Sequence, residues 1–245
     1  MRLQRLYPRP GETTPEALMS GLDLGSRAPS DRPYVVLNMV SSLDGKASVE
    51  GTTRSMGGEA DRLLFHHLRT QADAIMVGAT TAMTERYGRA TKSEELQAKR
   101  EKEGLAPQPL MVLVSGRLSV TAELPLLQVP EARVVVATAA DRDIEGAAAR
   151  VTYLRTGDDL PLLLGVLRSD FGVKSVLCEG GPTLNGYLLA AGLVDELMLS
   201  TTATIVGGEL APTIVAGREL AAPVPVELVS LHEADGELFS RWRIR

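Results

Sequence analysis

Glu179 is the residue that most demands a chemical explanation. It closes the apolar run SVLC and is followed by GGPT at 180–183. A carboxylate at the tip of a buried strand is costly unless a partner or a ligand answers its charge. Gly180 and Gly181 let the backbone approach a bound group closely. Pro182 suits the first turn of a helix, and Thr183 and Leu184 continue that turn. The free N–H groups of such a turn, with the helix dipole, favour a phosphate. A second loop of similar character, Gly78, Ala79, Thr80 and Thr81, follows the apolar stretch AIMV. Two cradles on neighbouring strands suit a pyrophosphate, although neither reproduces G-x-G-x-x-G. Each glycine loop alone reads equally well as a tight turn. Asp44 in SLDG is a second acid at a strand end, and an isolated Asp-Gly is first of all a turn. Arg69 and Lys46 are the candidate anion partners, since neither belongs to a charge run. Arg69 is also explained as a helix-end cation on the dipole. His66 and His67 are adjacent and face different ways, and Cys178 is the only cysteine, so no metal site is expected. Cys178 and Trp242 are expected to pack in the core.

These residues need elements to position them. Residues 34–40, 74–78, 110–116, 132–138, 151–154, 174–179 and 196–206 read as strands, the best of them continuous apolar runs. Residues 57–71, 160–172 and 184–192 read as helices, and 92–104 as a polar helix whose charges form a solvated face. Residues 226–245 alternate and contain Asp235-Gly236, a hairpin signal. Before residue 34 the chain is proline-rich, with one helical turn at 15–20. The order predicts an α/β fold with a mixed, mostly parallel sheet, flanking helices and a C-terminal antiparallel hairpin. Loops at 41–48, 78–88, 115–117 and 179–183 would then share the carboxyl edge, where open α/β sheets bind ligands.

Bulk properties set the remaining bounds. Hydrophobic residues make up 44% and charged residues 23% of 245, an ordinary globular composition. The net charge of −5 argues against a nucleic-acid partner. No apolar run is long enough to span a bilayer, and the start lacks a signal peptide's apolar core. A cytoplasmic protein is expected.

The segments RPYVVLNMVSSLDGKAS, HHLRTQADAIMVGATT and SVLCEGGPTLNGYLLAAGLVDELMLSTTATIVGG stand in that order. In them the chain resembles the pyrimidine reductase family of riboflavin biosynthesis, which has a dihydrofolate-reductase-like fold. The resemblance covers residues 32–245 and leaves 1–31 as an N-terminal arm. It implies reduction of 5-amino-6-(5-phosphoribosylamino)uracil to its ribitylamino product with NADPH, by a stand-alone reductase that tends to dimerise. It further implies catalytic roles for Asp44 and Glu179, and substrate contacts at Asn38, Thr53, Arg69 and Glu85, with Thr53 and Arg69 on the phosphate. Cofactor contacts are implied at Asp61, at Gly78, Ala79, Thr80 and Thr81, and at Gly180, Gly181, Pro182, Thr183 and Leu184. Ser115 and Arg117 follow the strand that meets the 2′-phosphate of NADP in this fold. The chain departs from the family on the substrate side: TTRSMGGEAD lacks Trp-Ile-Thr, and ERYG replaces Asp-x-Pro. Reduction of a dihydropterin, or cofactor binding without turnover, are the alternatives that the same fold allows.

Overall fold

The computed structural model describes residues 1–209, 211–217 and 219–245. The N-terminal arm is more ordered than its prolines suggest. It opens with a hairpin, β1 (Leu3–Tyr7) and β2 (Gly11–Thr13). Helix α1 (Pro15–Met19) follows, capped by the Thr14 hydroxyl, which accepts from the Ala17 N–H at 3.1 Å. The chain continues as β3 (Tyr34–Ser41), α2 (Glu59–Leu68), β4 (Ala74–Gly78), α3 (Ala79–Thr84), α4 (Glu94–Lys102), β5 (Leu110–Val114), β6 (Arg133–Ala137) and β7 (Arg150–Leu154). It ends with α5 (Leu160–Ser169), β8 (Ser175–Cys178), α6 (Pro182–Ala190), β9 (Glu196–Thr201), β10 (Val226–Ala234) and β11 (Glu237–Ile244).

All the strands join one sheet in the order β2-β1-β10-β11-β9-β3-β8-β4-β5-β6-β7. From β9 to β7 every neighbouring pair is parallel. The remaining strands run antiparallel, with β1 paired to β10. The expected mixed sheet is therefore present, and the arm extends it by two strands that the sequence reading left out. The inner parallel strands are apolar on both faces because both faces are covered. Leu64 and Leu68 of α2 pack on one face with Leu22 and Leu24 from the arm. Leu160, Leu163, Leu164 and Leu167 of α5, at the i, i+3, i+4, i+7 spacing of an amphipathic helix, cover the other with Leu184 and Leu188 of α6. Each such fully buried leucine contributes about 1.5–3 kcal/mol.

The amino ends of the central strands are closed by ion pairs. Arg32 grips Asp195 through two bonds of 2.7 and 2.8 Å, and Asp195 also accepts from the Val35 N–H at 2.7 Å. Glu196, fully buried, accepts from Arg241 at 2.7 and 2.9 Å and from Arg27 at 3.0 Å. These contacts fasten the arm and β11 to the parallel core.

Three expectations need correction. Strand β9 stops at Thr201, not 206, because the backbone beyond it bonds to the loop after β3. The Leu43 N–H donates to the Thr204 carbonyl at 2.8 Å, and Asp44 accepts from the N–H groups of Val206 and Gly207. Trp242 does not enter the core: it stands half-buried on β11, with Nε1 donating to Ser240 Oγ at 2.8 Å. The helix α4 is not wholly a solvated face, since Arg100 is fully buried.

Candidate active site

Strands β3, β8, β4 and β5 are consecutive neighbours, so the four loops singled out in the sequence do share the carboxyl edge of the sheet. The loop after β8 and the start of α3 meet through backbone. The Gly78 N–H donates to the Gly180 carbonyl at 2.9 Å. Gly181 has φ +52°, and a Cβ there would stand 3.1 Å from Thr81 Oγ1. Gly180 has φ +95°, and its Cβ would press on Met39 Sδ at 3.1 Å. Both positions therefore favour glycine by conformation as well as by space.

This crossing forms the wall of a cleft of about 890 Å³, within the range of about 300–1,000 Å³ usual for cofactor sites. Of the residues expected to hold the cofactor, Gly78, Ala79, Thr80, Thr81, Ser115, Arg117, Gly181, Pro182, Thr183 and Leu184 line it. Helices α3 and α6 both begin here on a glycine with no side-chain cap. Their first-turn N–H groups are thus left for a ligand, and the hydroxyls of Thr80 and Thr183 are exposed beside them. This donor set, with no acid among the loop residues, fits a dinucleotide pyrophosphate.

Two residues of the expected set lie outside the cleft lining. Gly180 serves instead as the hinge that passes its carbonyl to Gly78. Asp61 folds back over Gly57 at the start of its own helix. Burial raises the Asp61 pKa. Ser115 lines the cleft but is buried, its hydroxyl accepting from the Ser119 N–H at 2.9 Å. The exposed hydroxyl at this point is that of Ser119, which the sequence reading missed.

The acid end of the site is built differently. Glu179 is 8% exposed and is held in a bidentate ion pair. Arg69 Nε donates to Oε1 and Nη2 to Oε2, each at 2.7 Å, and the Tyr87 hydroxyl donates to Oε2 at 2.8 Å. The third donor of Arg69 goes to the Ala90 carbonyl at 3.1 Å, and the Phe65 ring stacks 4.1 Å from its guanidinium carbon. Burial alone would lower the Arg69 pKa; the charge and hydrogen bonds of Glu179 outweigh it and raise it. Burial and the Glu179 charge push the Tyr87 hydroxyl well above the usual tyrosine value. Arg69 and Glu179 were expected at separate ends of the site, one on phosphate and one on the reacting carbon. They are partners, and Arg69 has its main donors occupied.

Arg100 supports that partnership from behind. Its Nη1 donates to the Arg69 and Ala72 carbonyls at 2.6 and 2.8 Å, and Nε to the Ala106 carbonyl at 2.6 Å. Burial without a carboxylate partner pulls its pKa down to about 10. Lying in the charge run KREKEG, it carries no sequence signal of burial.

Asp44 is exposed at a turn. It accepts from the Ser42 hydroxyl at 2.6 Å and from the Val206 and Gly207 N–H groups at 3.1 and 2.7 Å. These bonds, the Ser42 bond foremost, lower its pKa to about 2. The turn reading is therefore part of the truth, and three hydrogen bonds hold the carboxylate in place. Lys46 Nζ reaches the Ala211 carbonyl at 3.3 Å. Thr53 and Glu85 come together: Glu85 Oε1 accepts from the Thr53 N–H at 2.7 Å and its hydroxyl at 3.2 Å. Asn38 lies on the α2 face of β3, one residue past the Leu37–Cys178 register pair, which aligns it with Glu179 on the neighbouring strand. It borders a small cavity of about 40 Å³ with Leu18 and Met19 of the arm. Cys178 is buried, and burial raises its thiol pKa to about 12. Among the described residues no group of three or more His, Cys, Asp or Glu is placed to hold a metal.

Residues 202–209 and 211–217 bridge the two ends. Besides Asp44, they are held by Asn185, whose amide donates to the Ile214 carbonyl at 2.8 Å. They pass so close to α6 that a Cβ on Gly186 would stand 2.2 Å from the Ala216 carbonyl oxygen.

Comparison with known proteins places this arrangement. The chain is 33% identical over 85% of its length to a 2,5-diamino-6-ribosylamino-4(3H)-pyrimidinone 5′-phosphate reductase of Archaeoglobus fulgidus, covering 96% of that protein. It is 31% identical over 87% of its length to the protein of the same name from Methanothermobacter thermautotrophicus, covering 99% of it. A solved pyrimidine reductase-like protein of Corynebacterium diphtheriae shares the fold, with a TM-score of 0.73, 24% identity, and 95% of this chain and 99% of that one superposed. Residues 33–239, from the first parallel strand through most of the C-terminal hairpin, match the RibD C-terminal domain, and the chain belongs to that family.

Proposed function

We propose that the chain reduces a phosphorylated ribosylaminopyrimidine to the ribitylamino compound, with NADPH as reductant, as a step of riboflavin biosynthesis. The observation that carries this reading is the Arg69–Glu179–Tyr87 cluster standing directly before the Gly180–Gly181 cradle. A charged reacting end and a phosphate-binding backbone are thereby adjacent in sequence and in space. The names of the full-length relatives support the substrate class. Bound in the cleft, the nicotinamide supplies hydride. The pyrophosphate is held by the first turns of α3 and α6, with Thr80 and Thr183, and the 2′-phosphate by Arg117 and Ser119. Before C1′ of a cyclic ribosylamine accepts hydride, the C1′–O4′ bond breaks, the ring oxygen takes a proton from solvent, and the opened chain is a cationic imine. Glu179, fixed by Arg69 and Tyr87, and Asp44, fixed by its loop, are preorganised negative charges for that cation. Asn38, beside Glu179, and the Thr53–Glu85 pair complete the substrate side. Residues 32–245 carry the reaction and the arm at 1–31 braces it. The expected homodimer and cytoplasmic location go with this reading.

Arg69 acts here on Glu179 rather than on the substrate phosphate. That occupation also favours a second reading, reduction of a dihydropterin, which needs no sugar-phosphate clamp. Mixing the protein with NADPH and each of 5-amino-6-(5-phosphoribosylamino)uracil, its 2,5-diaminopyrimidinone counterpart and dihydrofolate separates the two. Oxidation of NADPH with a ribosylaminopyrimidine supports the proposal. Oxidation with dihydrofolate alone supports the second reading.

A further inference from the structure

The end of the cleft away from Glu179 carries opposed charges. Arg117 and Ser119, in the turn after β5, and Asp158, in the loop between β7 and α5, all line it. The turn is rigid: the Leu118 N–H donates to the Ser115 carbonyl at 2.9 Å and Leu118 has φ +52°. Asp158 comes so near that a Cβ on Gly116 would stand 3.1 Å from its Oδ1. Its neighbour Asp159 is occupied as the cap of α5, accepting from the Leu162 N–H at 2.8 Å. The Asp158 backbone carbonyl accepts from the Leu160 N–H at 3.0 Å, but its carboxylate accepts no hydrogen bond and forms no ion pair among the described residues, and Arg117 forms no ion pair among them either. Two exposed, opposite charges, unpaired among the described residues, thus border one end of a cleft whose remaining lining includes the two cradle loops, Leu160 and Tyr187.

Resting on the reading of this cleft as the dinucleotide site, we propose that Asp158 is a specificity-determining residue that opposes the 2′-phosphate recognised by Arg117. A carboxylate can accept from a free ribose hydroxyl, and it repels a 2′-phosphate that carries a charge of about −1.5 to −2. A guanidinium does the reverse. The choice between phosphorylated and unphosphorylated dinucleotides is then set by the difference of the two contacts, and the preference for NADPH is smaller than Arg117 alone would give.

The test uses adenosine 2′,5′-bisphosphate and adenosine 5′-monophosphate, which differ only in the 2′-phosphate, with binding to the full chain measured by calorimetry. Removing a like charge at the rim of a solvated cleft should tighten the bisphosphate about three- to tenfold in Asp158→Asn, the scale of a Coulomb term between water and protein-surface dielectric. The monophosphate should not tighten, and the gain should shrink in high salt. Arg117→Ala should weaken the bisphosphate selectively. Asp158→Ser serves as a second variant, with circular dichroism as the check on folding. Both nucleotides binding with an unchanged affinity ratio in the Asp158 variants overturns the role of Asp158 and leaves the cleft reading standing. Neither nucleotide binding to the unaltered protein overturns both.

Discussion

Two buried glutamates, Glu179 and Glu196, are each gripped by an arginine through a pair of short hydrogen bonds, at opposite ends of the parallel strands. Around Glu196 every partner is protein: Arg241 comes from β11 and Arg27 from the arm, and the cluster closes the amino edge. Around Glu179 the next residues are Gly180 and Gly181, and Gly181 lines the cleft. The chemistry of the two pairs is the same, and their position relative to strand direction is what differs. An ion pair at the amino edge has only the fold to serve, whereas one at the carboxyl edge lies where ligands bind.

The largest effect should come from removing Arg69. Arg69→Ala leaves Glu179 uncompensated in the interior, and breaking a buried pair from one side costs about 3–5 kcal/mol. Urea denaturation should show that loss, and turnover should fall with it. Arg241→Ala should cost less, toward the lower end of about 3–5 kcal/mol, since Arg27 still reaches Glu196. Its kcat, measured well below the melting temperature, should stay near normal. If Arg241→Ala abolishes turnover in folded protein, the contrast between the two edges is wrong.

Glu179→Gln keeps shape and removes charge. It should lower kcat by roughly 10²-fold or more, the scale of a positioned charged or acid–base group, with NADPH affinity kept. Gly181→Val should do the converse, since both φ and the 3.1 Å approach to Thr81 oppose a side chain there. Nucleotide affinity should drop, while the strained backbone costs only about 1–2 kcal/mol of stability and leaves the protein folded. Unaltered NADPH affinity in folded Gly181→Val would move the cradle elsewhere.

These residues differ in how far sequence alone reveals them. The strands were legible because continuous apolar runs have few other readings, and the cradles because glycine and proline mark backbone geometry directly. The Arg69–Glu179 pair was not legible as a pair, because its members are 110 residues apart in sequence and each makes sense alone. Arg100 and the arm hairpin were hidden for related reasons. A buried arginine in a charged helix has no local signature, and the prolines of the arm masked strands that form only by pairing with β10. LVDEL, within the third segment of the family resemblance, proves to hold a structural clamp in Asp195 and Glu196.

The smallest expected effect is a pH dependence that should be missing. The folded pKa of Asp44 is depressed to about 2, so its tether on the 205–207 loop is complete above its usual pKa and is lost only as pH falls through about 2. Between pH 5 and 8 the kcat/KM profile should therefore contain no limb that Asp44→Asn abolishes. An ascending limb in that range, absent from the variant, contradicts the assignment of Asp44 as a fixed anion.

The proposed reaction passes hydride from a nicotinamide bound in the cleft to a sugar carbon held beside Glu179. NADPH carrying deuterium at both C4 positions of its nicotinamide, incubated with the protein and the phosphoribosylaminopyrimidine, tests it most directly. Mass spectrometry of the product should find one deuterium, located at C1′ of the ribityl chain. A product with only solvent hydrogen at C1′, or no reduced product at all, would contradict the account.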